Sequence, residues 1–417
     1  MSNKVLETTY SKVYLDGSSE KFSEFLDYIA DNFDSRLEEI LMFLEIPEFI
    51  DYGLEIYLYS TKESYREYVK SQGWEEIDYD LGSFGEKSIN KVITEDDLNK
   101  HSKASLLNNL LHECVHLLYF VFYQLKDSET RVVWFDEGLA RNLSGQMSNC
   151  RELEKFKSFY LKNVANKHLK IPKIEYLLKH GTKYGEFEDD ETNLYSGYHV
   201  SYVIVRYLLE VLPKDRLFNL LGNFEEIMAK GEKYLNEAIK YYDTLFPVSD
   251  NFSEIKDEFE LMDYLNKNFL FGYFDSEGKV HANTLADFKE LYRTRDIPTI
   301  IESGYGTCIE HMQVISYALK RFGYDVRTFA LRDINHLDTY RFMFIIAFSK
   351  DNKWYIFEYN NSQKQNIFEF KDIDAYVHEY RANMEKSIEN GKVELTEFES
   401  IPANLTYEEL HKYLAKK

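Results

Sequence analysis

Apolar residues recur at helical spacing along several long stretches of the chain. Between Phe22 and Phe43 they return every three or four positions, which places them on one face of a helix. The same spacing predicts further helices, and Gly323 suits the end of the one that begins at Cys308. The predicted helices are Phe22–Phe43, Ser105 to about Lys126, Trp134–Met147, Tyr198–Leu212, Leu217–Ile239, Cys308–Phe322, Ile373–Ile388 and Thr406–Leu414.

Shorter stretches alternate apolar and polar residues, or run apolar between turn residues, as β-strands do. The predicted strands are Leu54–Tyr59, Lys87–Thr94, Asp325–Leu331, Tyr340–Phe348 and Trp354–Tyr359, with a turn at Ser349–Lys353. Because helical and strand patterns are mixed in both halves of the chain, we predict the α+β fold class.

Around Pro247–Ser253 the pattern breaks, and Pro, Ser, Asp and Asn residues stand close together. A chain of 417 residues is long enough for two or three domains of roughly 100–200 residues each. We therefore predict two domains, residues 1–248 and residues 249–417.

Composition narrows the classes of protein that the chain can represent. Hydrophobic residues make up 44% and charged residues 29%, which is a globular balance. Apolar stretches such as Phe342–Phe348 are far shorter than the roughly 18 residues of a membrane span. A net charge of −22 would repel phosphate, so we expect neither nucleic acid nor membrane as a partner. With three cysteines and no apolar segment at the N-terminus, we expect a cytoplasmic location. The oligomeric state is left open.

The clearest chemical motif is His112-Glu113-Cys114-Val115-His116, inside an apolar predicted helix. Residues four apart are separated by about 40° around a helix axis, so both imidazoles leave one face and can share a cation. Glu113 can reach a water molecule bound to that cation. The pattern is H-E-x-x-H, two imidazole ligands with a carboxylate as general base. Cys114 lies off this face and is interpreted as a small core residue.

A third ligand is expected from the next predicted helix, whose start reads Trp134-Phe135-Asp136-Glu137-Gly138-Leu139-Ala140. Glu137 is favoured, because two antiparallel helices would bring it opposite the histidines. Asp136 is its rival, although adjacent helical residues are rotated by about 100° and a carboxylate also suits the first turn of a helix.

H-E-x-x-H followed by W-F-x-E-G-L-A resembles the gluzincin metallopeptidases over about residues 50–245. The resemblance implies a thermolysin-like catalytic domain, with a small sheet, active-site helices and a helical lower part. It also implies one zinc ion per chain held by His112, His116 and Glu137, with Glu113 as base and a peptide or protein as substrate.

Gluzincins often stabilise the oxyanion with a phenol or imidazole on a later helix. Aligning their pattern on this sequence selects Tyr198, with Tyr195 and His199 as rivals. The G-x-M-x-N stretch of aminopeptidase-N-like enzymes is replaced by residues 82–86, so an endopeptidase is favoured. Where thermolysin-like enzymes carry an acidic residue that orients an imidazole, this chain carries Arg141. The predicted strand Lys87–Thr94 is a candidate for binding an extended peptide by strand addition.

Residues 285–380 resemble the transglutaminase-like, papain-related cysteine enzymes, in which G-x-C begins a helix and His and Asp or Glu follow on strands. Gly306-Thr307-Cys308 and Glu358 match two parts of that pattern, and His336 is the nearest histidine. A thiol at a helix N-terminus tends to have a lowered pKa. We therefore predict an α+β transglutaminase-like second domain, with Cys308, His336 and Glu358 as its candidate site.

Taken together, these patterns predict a zinc-dependent peptidase, with an endopeptidase favoured over an aminopeptidase. Two alternatives stay open. One is a transglutaminase-like cysteine enzyme that uses Cys308. The other is a non-catalytic polypeptide-binding protein.

Overall fold

A computed structural model describes residues 3–46, 53–73, 82–85, 87–123, 132–169, 196–282, 284–335, 342–359, 365–388 and 390–415. Its contacts divide the chain into two compact units. The first unit comprises the described residues of Met1–Val164 and Lys170–Phe246, and the second those of Ala165–Leu169 and Pro247–Lys417. The predicted domain boundary after residue 248 is close to the division between Phe246 and Pro247. No helix of the described residues is long and apolar enough to cross a membrane.

A mixed five-stranded sheet forms one layer of the first unit. Its strands are β1 (Asn3–Glu7), β2 (Ser11–Asp16), β3 (Leu54–Tyr59), β4 (Gly82–Phe84) and β5 (Ser88–Val92). They lie in the order β1-β2-β3-β5-β4, so that β4 and β1 are the edges. The neighbours of β3 on both sides run parallel to it, whereas the two edge strands pair antiparallel.

Four helices of the first unit lie where the spacing of apolar residues predicted them, at Ser19–Phe43, Lys103–Phe122, Val133–Leu143 and Ser196–Val211. The eight buried positions of the first long helix are those spaced for one face in the sequence. The helices are α1 (Ser19–Phe43), α2 (Lys62–Ser71), α3 (Glu95–Lys100), α4 (Lys103–Phe122), α5 (Val133–Leu143), α6 (Leu153–Asn163), α7 (Ser196–Val211), α8 (Lys214–Leu221) and α9 (Phe224–Leu245).

One helix prediction was wrong. Leu217–Ile239 was expected to be continuous, but α8 ends at Leu221 and α9 begins at Phe224. Asn223 separates them, because its side-chain oxygen accepts a hydrogen bond from the Glu226 backbone N–H and caps α9.

The second unit contains two sheets and six helices among the described residues. Its strands are β6 (Leu270–Phe274), β7 (Val280–Ala282), β8 (Tyr305–Gly306), β9 (Asp325–Asp333), β10 (Phe342–Lys350), β11 (Lys353–Glu358), β12 (Asn366–Phe370) and β13 (Val393–Phe398). Its helices are α10 (Glu258–Asn268), α11 (Phe288–Leu291), α12 (Ile297–Ser303), α13 (Cys308–Arg321), α14 (Ile373–Lys386) and α15 (Tyr407–Ala415).

The larger sheet of this unit is antiparallel, in the order β12-β11-β10-β9-β13, and it is covered on both faces. Ala330, Ile346 and Phe357 pack in one apolar core with residues of α13. Ile345 and Ile356 pack in a separate core with residues of α14. Because side chains alternate along a strand, neighbouring residues of the same strand face different helices. The fold is mixed α+β, as predicted.

A short segment that the sequence did not single out belongs to the second unit. Asn166 lies in the segment Ala165–Leu169, and its buried amide Nδ2 donates to the backbone carbonyls of Asn266, at 2.8 Å, and Phe269, at 2.7 Å. These bonds tie the segment to the C-terminal end of α10. The division of the chain is therefore not a single cut.

Candidate metal centre

Helix α4 carries the histidine motif and is buried along most of its length. Ser102 caps it by accepting a hydrogen bond from the Ser105 backbone N–H, and the apolar residues that follow pack around it. The helix contacts α5 and α1, and it also lies across strands β4 and β5. The motif thus sits between the sheet and the second helix of the predicted pair.

The structure brings His112, His116 and Glu137 together, so that one ligand atom from each lies within 4.8 Å of the others. The two imidazole Nε2 atoms are 3.0 Å apart. The carboxylate oxygens of Glu137 lie 3.3 Å from His112 Nε2 and 3.5 Å from His116 Nε2. Zinc bonds of about 2.0–2.1 Å in tetrahedral directions would separate the ligand atoms by about 3.3–3.4 Å. The three residues therefore fit a zinc ion in both donor type and spacing.

Asp136 is not part of the group of three candidate ligands but contacts one of them, His116. Its Oδ1 lies 2.7 Å from Nδ1 of His116, and both side chains are almost fully buried. If Nδ1 carries the proton of a neutral imidazole, the lone pair of Nε2 faces Glu137 and His112. Asp136 was predicted to be either a rival ligand or a first-turn residue, and its position next to Glu137 was the only sign of this contact in the sequence.

Two carboxylates lie beside the imidazoles, that of Asp136, which is buried, and that of Glu137, which is 14% exposed. Burial opposes protonation of His116, but the carboxylates of Asp136 and Glu137 outweigh it and raise the pKa of His116 to about 10. Burial would likewise raise the pKa of Glu137, yet the two imidazoles hold it well below its ordinary range. A group of this kind has room for a cation, and the buried anionic charge favours one.

Glu113, the predicted base, is paired with Lys91, a residue outside every motif of the sequence. Lys91 on β5 donates a hydrogen bond from Nζ to Oε1 of Glu113 at 2.7 Å. Burial would raise the pKa of the Glu113 carboxyl, but Lys91 and the two imidazoles lower it. The negative charge of Glu113 is therefore held beside the two histidines of α4. The neighbouring Cys114 is buried, and burial raises its pKa, in line with a core position.

Tyr198 and His199 lie at the start of α7, the helix against which α5 packs. Gly138 allows that close approach, because a Cβ at this position would stand 2.3 Å from the backbone oxygen of Ser201. Tyr198 is buried, and the guanidinium of Arg141 lies 4.5 Å from the centre of its ring. Burial and Arg141 lower the pKa of His199 to about 3. Tyr195, the other rival, is outside the described residues.

Strand addition to Lys87–Thr94 was a wrong expectation. The strand formed there, β5, is hydrogen-bonded to β3 on one side and to β4 on the other. Both of its edges are occupied within the sheet. Among the residues that the structure describes, β4 is the edge strand of the sheet on the side that contacts α4.

In the second unit, the structure describes two residues of the predicted cysteine site, Cys308 and Glu358. Thr307 and Glu310 form a capping box at the start of α13, which places Cys308 at the helix N-terminus as predicted. However, burial and the Glu310 carboxylate raise the pKa of the Cys308 thiol to about 12. The lowered pKa expected at this position was wrong, because burial disfavours the thiolate more than the helix N-terminus favours it.

Glu358 faces away from Cys308. Its neighbours Phe357 and Tyr359 belong to the core of α13, so alternation places Glu358 on the opposite face of the sheet. Burial and the nearby Glu358 carboxylate raise the pKa of Tyr380 on α14, which agrees with that position. His336 lies outside the described residues. A cavity of about 740 Å³ in this unit is lined by residues including Met312, Gln313 and Ser316, but Cys308 is not among them.

A scan against protein-family models finds no match, and a search of curated proteins finds no significantly similar sequence. The resemblances to gluzincins and to transglutaminase-like enzymes therefore stay predictions from short motifs. The geometry of the residues around α4 is the main guide to function.

Proposed function

We propose that this protein is a zinc-dependent peptidase of the gluzincin type, acting as an endopeptidase on peptide or protein substrates. The observation that carries the proposal is the convergence of His112, His116 and Glu137, with Glu113 beside the first ligand. Three protein ligands with nitrogen and oxygen donors are typical of catalytic zinc sites, which keep a further position open.

The positions of the side chains support the roles proposed for His112, His116, Glu137 and Glu113, whereas the role of Tyr198 rests on the sequence resemblance. His112 and His116 would hold zinc through Nε2, and Glu137 through its carboxylate. A zinc ion bound there would supply Lewis acidity toward a peptide carbonyl and would make water more acidic. Glu113 would accept the proton of the attacking water and later pass it to the leaving amine. Tyr198 is proposed to donate a hydrogen bond to the oxyanion.

The alternative of a cysteine enzyme is less well supported. A partly buried thiol with a pKa of about 12 is a poor nucleophile near neutral pH. Glu358 lies on the far face of the sheet from α13, so it cannot orient a base near Cys308. We propose that the second unit is a transglutaminase-like domain that binds a polypeptide or supports the peptidase.

The test combines metal content with hydrolysis of a fluorogenic peptide library. We expect about one zinc per chain in the wild type and in Glu113→Gln, and loss of zinc in His116→Ala. Glu113→Gln should abolish hydrolysis, because an amide cannot accept the proton of water. Glu225→Gln, an exposed position on α9, is the matched control. Hydrolysis by Glu113→Gln at the wild-type rate, or a wild-type protein that cannot bind zinc, would contradict the proposal.

A further inference from the structure

We propose that Lys91 is a positioning residue that holds the Glu113 carboxylate in place beside the metal ligands; this inference rests on the proposed function. Lys91 lies on β5, at some distance along the chain from the histidine motif. It therefore adds a contribution of the sheet to a site otherwise built from helices.

The contact between the two side chains is short and shielded from water. Nζ of Lys91 and Oε1 of Glu113 are 2.7 Å apart, and the side chains are only 16% and 10% exposed. A charge-assisted hydrogen bond in such a place meets little competition from solvent and is stronger than one at the surface. Because a Glu side chain has three rotatable bonds, a bond of this kind is suited to select one of its rotamers.

The opposite wall is made by backbone, at Gly82 on β4. A Cβ at Gly82 would lie 2.4 Å from Oε1 of Glu113 and 2.9 Å from Nζ of Lys91. The antiparallel register places Gly82 directly opposite Lys91, so the ladder between β4 and β5 aligns the two. Strand β4 thus encloses the ion pair on this side. Any residue with a Cβ at position 82 would displace the side chain of Glu113 or Lys91.

Two roles for Lys91 make different predictions. If Lys91 only compensates a buried charge, its removal should lower stability and leave the turnover of the folded protein unchanged. If it positions Glu113, its removal should change the location of the carboxylate and lower kcat, with KM and zinc content little changed. Lys91→Met keeps most of the alkyl chain and removes the charge, so it separates these roles.

The first readout is the crystal structure of zinc-loaded Lys91→Met beside that of the wild type. We expect the Glu113 carboxylate to leave its place against Gly82 or to occupy several conformers. An unmoved carboxylate would overturn the inference whether or not a peptide substrate is found. A displaced carboxylate in a protein that hydrolyses no peptide would support the inference while the proposed function fails.

The second readout is steady-state kinetics with a cleaved peptide. We expect kcat of Lys91→Met to fall by about 10–100-fold, the range for misplaced catalytic groups, with KM within about twofold of the wild type. Lys91→Arg should recover part of the loss, because it retains a cation. Lys87→Met, at an exposed position just before β5, is the control and should behave as the wild type. If Lys91→Met does not fold, Lys91→Gln replaces it. Wild-type kcat in the folded variant would overturn the inference.

Discussion

Replacing Asp136 by Asn tests how the candidate metal centre is held together. Asp136 Oδ1 lies 2.7 Å from His116 Nδ1, and the side chains are 1% and 4% exposed. Asn has nearly the same shape and can still accept a hydrogen bond, but it carries no charge. The substitution therefore weakens the hold on one imidazole and leaves the three ligands unchanged.

The expected size of the effect follows from the kind of bond that is lost. A hydrogen bond to a charged group contributes about 1.5–3 kcal/mol and a neutral one about 0.5–1.5 kcal/mol. The difference of about 1–1.5 kcal/mol corresponds to zinc binding weakened by about five- to tenfold. Asp136→Ala removes the acceptor as well, so the loss should approach about 100-fold, the upper range for partners of metal ligands.

The assay is competition for zinc between each metal-free protein and a fluorescent chelator, at fixed pH and ionic strength. Asp243→Asn is the matched control, because Asp243 accepts a hydrogen bond from Tyr160 on another helix of the same unit. We expect the order of zinc affinity to be wild type and control, then Asp136→Asn, then Asp136→Ala. If both Asp136 variants bind zinc within twofold of the wild type, the reasoning about His116 is refuted.

Two further predictions concern packing and thiol chemistry. Gly138→Ala should lower the free energy of unfolding by about 1–3 kcal/mol in urea titrations, because the added Cβ meets backbone of α7, whereas Gly222→Ala meets no atom within 4 Å and should be nearly neutral. An equal effect of the two substitutions would contradict the close packing of α5 on α7. Iodoacetamide at pH 8 should modify Cys308 in the native protein about 1,000-fold more slowly than in the urea-unfolded chain, since its pKa is near 12 rather than 9.0. Rapid labelling of the native protein, located by mass spectrometry, would restore Cys308 as a candidate nucleophile.

Much of the local structure was predictable, because it depends on periodicities that backbone geometry imposes. Helix α1 and strand β3 lie where the spacing of apolar residues placed them. His112 and His116 share a face for the same reason, since four residues are close to one turn. The failure at Leu217–Ile239 is also local, because Asn223 carries a capping side chain inside an otherwise helical pattern.

What the sequence alone determined is therefore the elements with a clear periodicity, such as α1 and β3, and the two histidines that one helix face presents. The tertiary structure decided which residues from other elements contact His116 and Glu113. Asp136 supports His116 because α5 packs against α4, and Lys91 reaches Glu113 because β5 lies under the same helix. Glu358 was predicted to share a site with Cys308, but it lies on the opposite face of the sheet. Alternation separates it from Phe357, but only the packing of α13 and α14 decides which face each one occupies. Contacts between distant parts of a chain depend on which elements pack against each other, and the periodicity within one element does not specify its partners.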